Sequence, residues 1–405
     1  MRHITALLFI PALLIIHPSH AGGPAFTRLL AAADSAETAY NNPAGMTRFD
    51  MKATSVGVIF IKSFSEFEVD ESRSTIGGGD PQSGDPILIP AYYTILPIDE
   101  KWRFGFSANF TGGFGSDYGD SWAGRYYSNE YSLAFIGLTP SIAYPVNDRL
   151  SLGFSTPISI SYSVTSSLIN SPIPGADDGE LEVETTEAAY SFVFSSLYEF
   201  SKQTRGALIY RSEVDYDSEP DIKIKRSGLP SDIIDNIEDA INTLELASTV
   251  PQSVGIGLFH QLDNDWQITA DAIWIDFSEF GVTEISIVGQ SVVAPNNDFK
   301  DIYAFSVGAQ LPVKGDTTWR LGALYVSEGV DDEDRSLSFA LDRVYGIGAG
   351  LTQKLSDGNA YDLNVNLLDF GKGAIDTGDD PVRGRVAGER KNHYAITLDY
   401  AFHWK

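Results

Sequence analysis

Covalent chemistry has little to work with in this chain. It contains no cysteine and 6 histidines, and of the histidines only His260, His393 and His403 lie beyond an apolar N-terminal stretch. Hydrolysis at a surface site needs a nucleophile, a base and an orienting carboxylate in one place. His260 and His403 fall at strand ends, and His393 opens the last strand with no evident nucleophile to pair with. Thiolate zinc sites, iron–sulfur clusters and cysteine nucleophiles are excluded outright. The acidic run Asp331-Asp332-Glu333-Asp334 has oxygens enough to attract divalent cations, yet it reads more simply as a solvated loop. No catalytic residue, no metal ligand set and no cofactor is therefore expected. A net charge of −27, from 28 basic and 55 acidic side chains, argues against nucleic acid as a partner, since phosphate binding needs a basic face.

The elements that position the remaining candidates are strands. Large apolar groups recur at every second position, with small or polar groups between them. Trp102, Phe104, Phe106, Ala108 and Phe110 share one face, against Arg103, Gly105, Ser107 and Asn109. The same holds from Leu150 to Val164, from Tyr361 to Leu367, and from Tyr394 to Trp404. Period two with one apolar face means β-strands between two unlike solvents. No segment after the N-terminus is long and apolar enough for a spanning helix. The first stretch is an address: Arg2 and His3 precede an apolar run from Ala6 to Ile16, and Ser19-His20-Ala21 supplies small residues for cleavage, so residues 1–21 read as a signal peptide.

Punctuation between the strands carries the topology. Six tight turns, at 97–101, 145–149, 201–203, 263–265, 312–317 and 356–359, alternate with long Gly-, Asp- and Ser-rich connections at about 68–86, 114–129, 167–184, 218–244, 286–298, 328–342 and 373–391. Short turns on one side and long loops on the other mark an outer-membrane barrel. An opening strand, two strands for each of the six tight turns and a closing strand make fourteen. The expected fold is thus all-β, a 14-stranded antiparallel transmembrane barrel over residues 53–405. Trp102, Trp266 and Trp319 each follow a short turn and Trp404 ends the last strand, which gathers them in one interfacial belt. A soluble sandwich has no reason to collect tryptophans at one end.

Fourteen strands enclose a lumen that must be an aqueous channel or be plugged. Residues 22–52 supply a plug: they precede the first strand, lack its alternation, and hold a helix-like stretch, Thr27 to Tyr40, before Asn41-Asn42-Pro43-Ala44-Gly45-Met46. That segment is expected to form an N-terminal hatch.

At this point the chain resembles a known family. Asn42 to Met46, the run Trp102 to Tyr118, Ala123-Gly124-Arg125-Tyr126, Leu138 to Tyr144, Tyr210 to Val214, and Asp334-Arg335-Ser336 with Asp342-Arg343 look, in order, like the FadL family of outer-membrane channels for long-chain fatty acids and other hydrophobic compounds. The resemblance implies passive uptake of hydrophobic small molecules by ligand-gated lateral diffusion. Substrate binds at the outer loops, passes to a deeper apolar pocket and leaves through a wall gap made by a kink in the third strand. Asn42, Pro43, Ala44 and Gly45 then belong to the hatch, and Gly112 and Gly113, which interrupt the third strand read as Trp102 to Gly113, are placed at the kink, where glycine tolerates a bulge. Arg125 is the first candidate to meet a carboxylate, at the loop mouth beside Tyr126 and Tyr127 and near Phe114, and Phe110 is counted with the substrate-binding residues. The inward-parity arginines Arg103, Arg205, Arg211 and Arg320 stand behind it, with Arg211 paired to Glu213 on the same face. Phe259, Ile273, Ile275 and Leu324 are inward and apolar, and are assigned to the substrate tail.

Two features depart from the family pattern. The connection at 167–184 is short, which throws the outer capture groove onto 218–244 and its amphipathic stretch Ser231 to Leu244. Lys405 follows the terminal aromatic Trp404 that the barrel-assembly machinery reads. The expected partners are a hydrophobic ligand, outer-membrane lipids with lipopolysaccharide, and that machinery, in the outer membrane of a Gram-negative bacterium. The alternatives are a monoaromatic hydrocarbon channel of the same fold, a non-selective porin, and an outer-membrane lipid hydrolase.

Overall fold

The computed structural model describes residues 26–27, 30–84, 86–171, 173–225, 230, 244–287, 290–293, 298–313, 315–337, 342–381 and 383–404. The signal peptide expected over 1–21 and the amphipathic stretch expected over Ser231 to Leu244, apart from Leu244 itself, lie outside the described residues, as does the Phe114 side chain.

Fourteen barrel strands run through the described chain. They are β1 Ala53–Val69, β2 Ile87–Pro97, β3 Arg103–Asp117 and β4 Glu130–Pro145. β5 has two stretches, Leu150–Ser155 and Ile158–Ile169, as does β6, Gly179–Tyr190 and Val193–Glu199. β7 is Thr204–Arg211, continued by Val214–Ser218 and Asp221–Lys225; β8 is Leu244–Val250 and Ser253–Gln261; β9 is Gln267–Ile275, continued by Gly281–Ile287. β10 Ile302–Pro312, β11 Thr317–Val326, β12 Val344–Lys354, β13 Ala360–Asp369 and β14 Ala387–Trp404 complete the wall. Each strand pairs antiparallel with the next, and β14 returns to β1 from Thr54↔Trp404 to Phe64↔Tyr394, so the sheet closes on itself. Closure leaves no sheet edge in the hydrocarbon, where an unpaired backbone group is costly.

The alternation sorts residues as the two solvents demand. Along β10, Ile302, Ala304, Ser306 and Gln310 are buried while Tyr303, Phe305 and Val307 face outward. Trp102, Trp266, Trp319 and Trp404 are 41–48% exposed on the outer surface at the short-turn end, as an interfacial belt requires. Several sequence expectations need adjustment. The third strand begins at Arg103 and continues to Asp117. The run Leu150 to Val164 breaks at Thr156-Pro157, where proline has no N–H for the ladder. Strands reach into the connections placed at 167–184, 218–244 and 373–391, and Leu244 opens a strand.

Inside, the N-terminal segment packs against the inward faces of the wall. Its expected helix is cut down to α1, Thr38–Asn41, followed by a 3₁₀ turn, Pro43–Arg48. Tertiary partners override the helical propensity of the alanine run: the carbonyls of Thr27, Leu30 and Ala31 accept hydrogen bonds from Thr269 Oγ1 (3.1 Å), Asn42 Nδ2 (2.9 Å) and Arg205 Nε (2.7 Å). Ala44 N donates to Ser195 Oγ on β6 at 2.9 Å. The fit is close enough to need glycine on the wall. A Cβ on Gly153 would lie 2.2 Å from Ala44 N, and one on Gly308 would lie 2.3 Å from Thr27 Cγ2.

The lumen is divided by height. Toward the short turns it is polar, with Ser55, Ser107, Asn109, Asp271, Gln310, Arg320, Asp362, Asn364 and Asp399 buried. A cavity of about 660 Å³ opens there, lined among others by Asp34, Arg48, Gln310, Arg320, Asp362 and His403. Toward the long loops it is apolar, with Ile59, Ile61, Ile87, Ile89, Leu324, Val326, Val344 and Leu368 in one cluster that Phe26 closes from below.

Candidate functional site

The apolar cluster at the outer end of the lumen is roofed by loops. Trp122 is buried in it and stands 4.7 Å from the Tyr118 ring and 5.9 Å from Phe67. Three outer loops interlock above: Thr75 N donates to Arg385 O (2.8 Å), Arg385 N to Thr75 Oγ1 (2.7 Å), and Tyr127 Oη to Gly384 O (2.6 Å). Arg385 lies 2.7 Å from Asp376 and holds that carboxyl down to about 2, with help from Arg73.

Three of the four residues assigned to the tail meet here. Ile275 and Leu324 are buried in this cluster, and Ile273 packs against it. Phe259 does not join them. It sits in a second cluster with Leu30, Ala31, Ala32 and Ala33, its ring 3.5 Å beneath the Arg205 guanidinium. Phe110, on the lipid-side parity of β3, nonetheless packs against the first cluster. The cause is a β-bulge: Phe110 opposes Ile136 and Gly112 opposes Phe135, so Thr111 is the extra residue. Gly113 follows with φ +154°, where an added Cβ would lie 2.2 Å from Leu133 O. Beyond this point β3 leaves β2. Their ladder ends at Ala91↔Asn109, while β3 stays paired with β4 up to Asp117↔Glu130. The glycine pair thus sits beside a place where the wall loses its hydrogen bonds.

The arginines divide sharply. Arg125 donates to Gly77 O (2.8 Å) and Trp122 O (2.9 Å), lies 4.0 Å from Asp178, and stacks on Tyr126, whose hydroxyl donates to Asp178 at 2.7 Å. Burial and Asp178 push the Tyr126 hydroxyl up. These contacts tie loops together. Arg103 donates to Phe49 O at 2.6 Å and Arg205 to the alanine run, both holding the N-terminal segment. Arg211 donates to Tyr40 O at 2.8 Å in place of the expected pairing with Glu213, because the inward parity shifts between Arg211 and Val214. Arg320 forms a buried ion pair with Asp362 at 2.8 Å.

The arginine that faces the apolar cluster is one that strand parity misses. Arg390 is 1% exposed. Its Nη2 donates to Tyr118 Oη and to Leu337 O at 3.5 Å and its charge also faces the Tyr131 hydroxyl, while Nε and Nη1 are without a direct hydrogen bond among the described residues. His393, also buried, lies 4.7 Å from the Phe370 ring. Asn392 between them adopts φ +49°, and the β1–β14 register slips there, between Phe64 and Glu66 on the partner strand. That slip turns Arg390 inward, which is how bulges re-aim side chains.

The model of the outer membrane protein transport protein family (OMPP1/FadL/TodX) matches residues 16–402. This chain belongs to that family. It is a transport protein of the Gram-negative outer membrane and not an enzyme. The long-chain fatty acid transport protein of Escherichia coli (strain K12) is 24% identical over 385 residues, covering 85% of this chain and 84% of that one. A FadL homologue from Pseudomonas aeruginosa superposes with a TM-score of 0.81 at 18% identity, covering 98% of this chain and 99% of that one. The toluene transporter TodX of Pseudomonas putida superposes with 0.67 at 15% identity, covering 95% and 98%. At these identities the two structures speak to the fold alone.

Proposed function

We propose that the protein takes hydrophobic small molecules, foremost long-chain fatty acids, passively through the outer membrane. One observation carries the choice of a fatty acid: Arg390 is a buried cation beside an apolar cluster, with two N–H-bearing nitrogens unused among the described residues. An unpaired buried charge is costly, and a ligand carboxylate would satisfy it while its alkyl tail lies along Leu324, Ile275 and Ile273. The fatty acid transport relatives support this reading. Arg125 then serves to hold the outer loops over the entrance, and residues 26–52, with Asn42, Pro43, Ala44 and Gly45 at their fold, act as the hatch against hydrophilic solutes. The gap beside Gly112 and Gly113 is the exit into the bilayer, so the ligand avoids the polar half of the lumen.

Binding of oleate and of toluene to the purified barrel, followed by tryptophan fluorescence and competition, tests the reading. Oleate is expected to bind at least tenfold more tightly. A preference for toluene moves the assignment to hydrocarbon uptake, and binding of neither removes the hydrophobic-channel reading. Gly113→Val tests the exit: the strained φ and the contact with Leu133 O are expected to cost about 1–3 kcal/mol and to slow oleate uptake by cells several-fold, with the barrel still assembled. Uptake at the normal rate would remove the exit from this position.

A further inference from the structure

The wall has a second place where strands lie side by side without a ladder. β7 pairs with β6 up to Arg211↔Val193, and Ser212 N still donates to Phe192 O at 2.9 Å. Above that, Val214–Ser218 pairs only with β8, from Val214↔Val250 to Ser218↔Leu246, and belongs to a separate small sheet with the upper parts of β8 and β9. Pairing to β6 resumes at Asp221↔Glu184. Between these points residues 185–190 of β6 are paired on one edge alone, to β5, among the described residues. Side chains close the seam: Val214 and Tyr216 pack with Ala189 of β6 and Phe135 of β4, and the Tyr216 hydroxyl donates to Ser159 Oγ of β5 at 2.7 Å. Leu133 packs against both this cluster and the central one, so apolar contact is continuous from the ligand cluster to the seam.

We propose that the β6–β7 seam is a second lateral port, through which uncharged hydrophobic molecules pass between the lumen and the outer edge of the bilayer. This rests on the reading of the apolar cluster as the ligand site. Opening such a seam parts side-chain contacts and one hydroxyl pair, whereas opening a laddered seam breaks a row of backbone hydrogen bonds in a medium that cannot replace them. On the lipid side Tyr190 and Phe192 are 70% and 51% exposed and frame the port with aromatic surface. Its charge selects the class of molecule. Asp215, Asp217, Glu219 and Asp221 are exposed along the β7 side, and the nearby Lys223 and Lys225 are already bound to Glu182, Glu184 and Glu180 at 2.7–3.0 Å. An acidic rim disfavours a carboxylate and is indifferent to a hydrocarbon.

The chain's lack of cysteine makes the test direct. Ala189→Cys with Val214→Cys places a thiol on each side of the seam. In intact Gram-negative cells bearing this variant together with Gly113→Val, which hinders the exit beside β3, oxidation is expected to lower labelled toluene uptake several-fold, with recovery on reduction, and to leave oleate binding by the purified protein unchanged. Cross-linking verified by mass with no change in toluene uptake overturns the port. Should the disulfide not form, Tyr216→Ala removes the bolt and is expected to speed toluene uptake several-fold; an unchanged rate overturns the proposal equally. Loss of oleate binding by the unmodified protein is a separate result, and strikes the fatty-acid reading instead.

Discussion

Replacing Arg390 by methionine is expected to weaken oleate binding by roughly 30- to 700-fold while leaving toluene binding within about twofold. The first figure follows from the about 2–4 kcal/mol lost when one partner of a buried charge pair is removed, at about 1.4 kcal/mol per factor of ten. Methionine keeps the unbranched apolar stem beside Tyr118 and Leu337 and removes the guanidinium, and its flexible thioether adapts to the space that remains. The contrast between ligands is what assigns the charge. Equal losses for oleate and toluene would mean that the substitution had collapsed the cluster, and undiminished oleate binding would place the carboxylate elsewhere. The variant should also be the more heat-resistant in the absence of ligand, because the described partners of the buried cation are a tyrosine hydroxyl and a carbonyl rather than a carboxylate. Thermal unfolding of the two empty barrels reads this directly.

Gly153→Val is expected to raise the conductance of the barrel to small hydrophilic solutes at least tenfold. Its first side-chain carbon would fall 2.2 Å from Ala44 N and 2.5 Å from Pro43 C, and these are backbone atoms with no rotamer to yield. The wall is held by ladders on both sides of Gly153, to Ala143 and to Ser195, whereas the segment around Ala44 is held by scattered hydrogen bonds. The segment should therefore move, and with it the Ala44 to Ser195 bond is lost. Single-channel recording in planar bilayers measures the result, with deletion of Thr27 to Met46 as the fully opened reference. Conductance at the wild-type level in both variants would show that residues 26–52 do not occlude the lumen.

Strand alternation and the contrast between tight turns and long connections carry nearly the whole architecture, because each follows from a period or a residue type that lipid and backbone impose locally. That Ile273, Ile275 and Leu324 lie inside the wall was legible for the same reason: inward parity and an apolar side chain suffice. Phe259 obeys the same rule and yet packs on the alanine run, since parity states the face and not the depth. Arg390 was hidden by a local irregularity. Counting back from Trp404 in steps of two puts it on the lipid face, and only the slip at Asn392 reverses that. An asparagine within a strand, a residue type that accepts the left-handed region, was the available signal. The helix expected over Thr27 to Tyr40 is cut short because the carbonyls of Thr27 and Ala31 are claimed by side chains from strands far along the chain, which no local propensity encodes, and that of Leu30 by Asn42.

The seating of the N-terminal segment also dictates an order of events. Ala44 is bonded to a residue 151 positions later and Thr27 to one 242 positions later, and the wall that surrounds them is sealed by the first strand meeting the last. The groups that grip the segment lie on β6, β7 and β9, so its seat exists only once those strands stand in place. Contacts of such long sequence separation form slowly, so the N-terminal segment is expected to settle last, into a wall already built around its place.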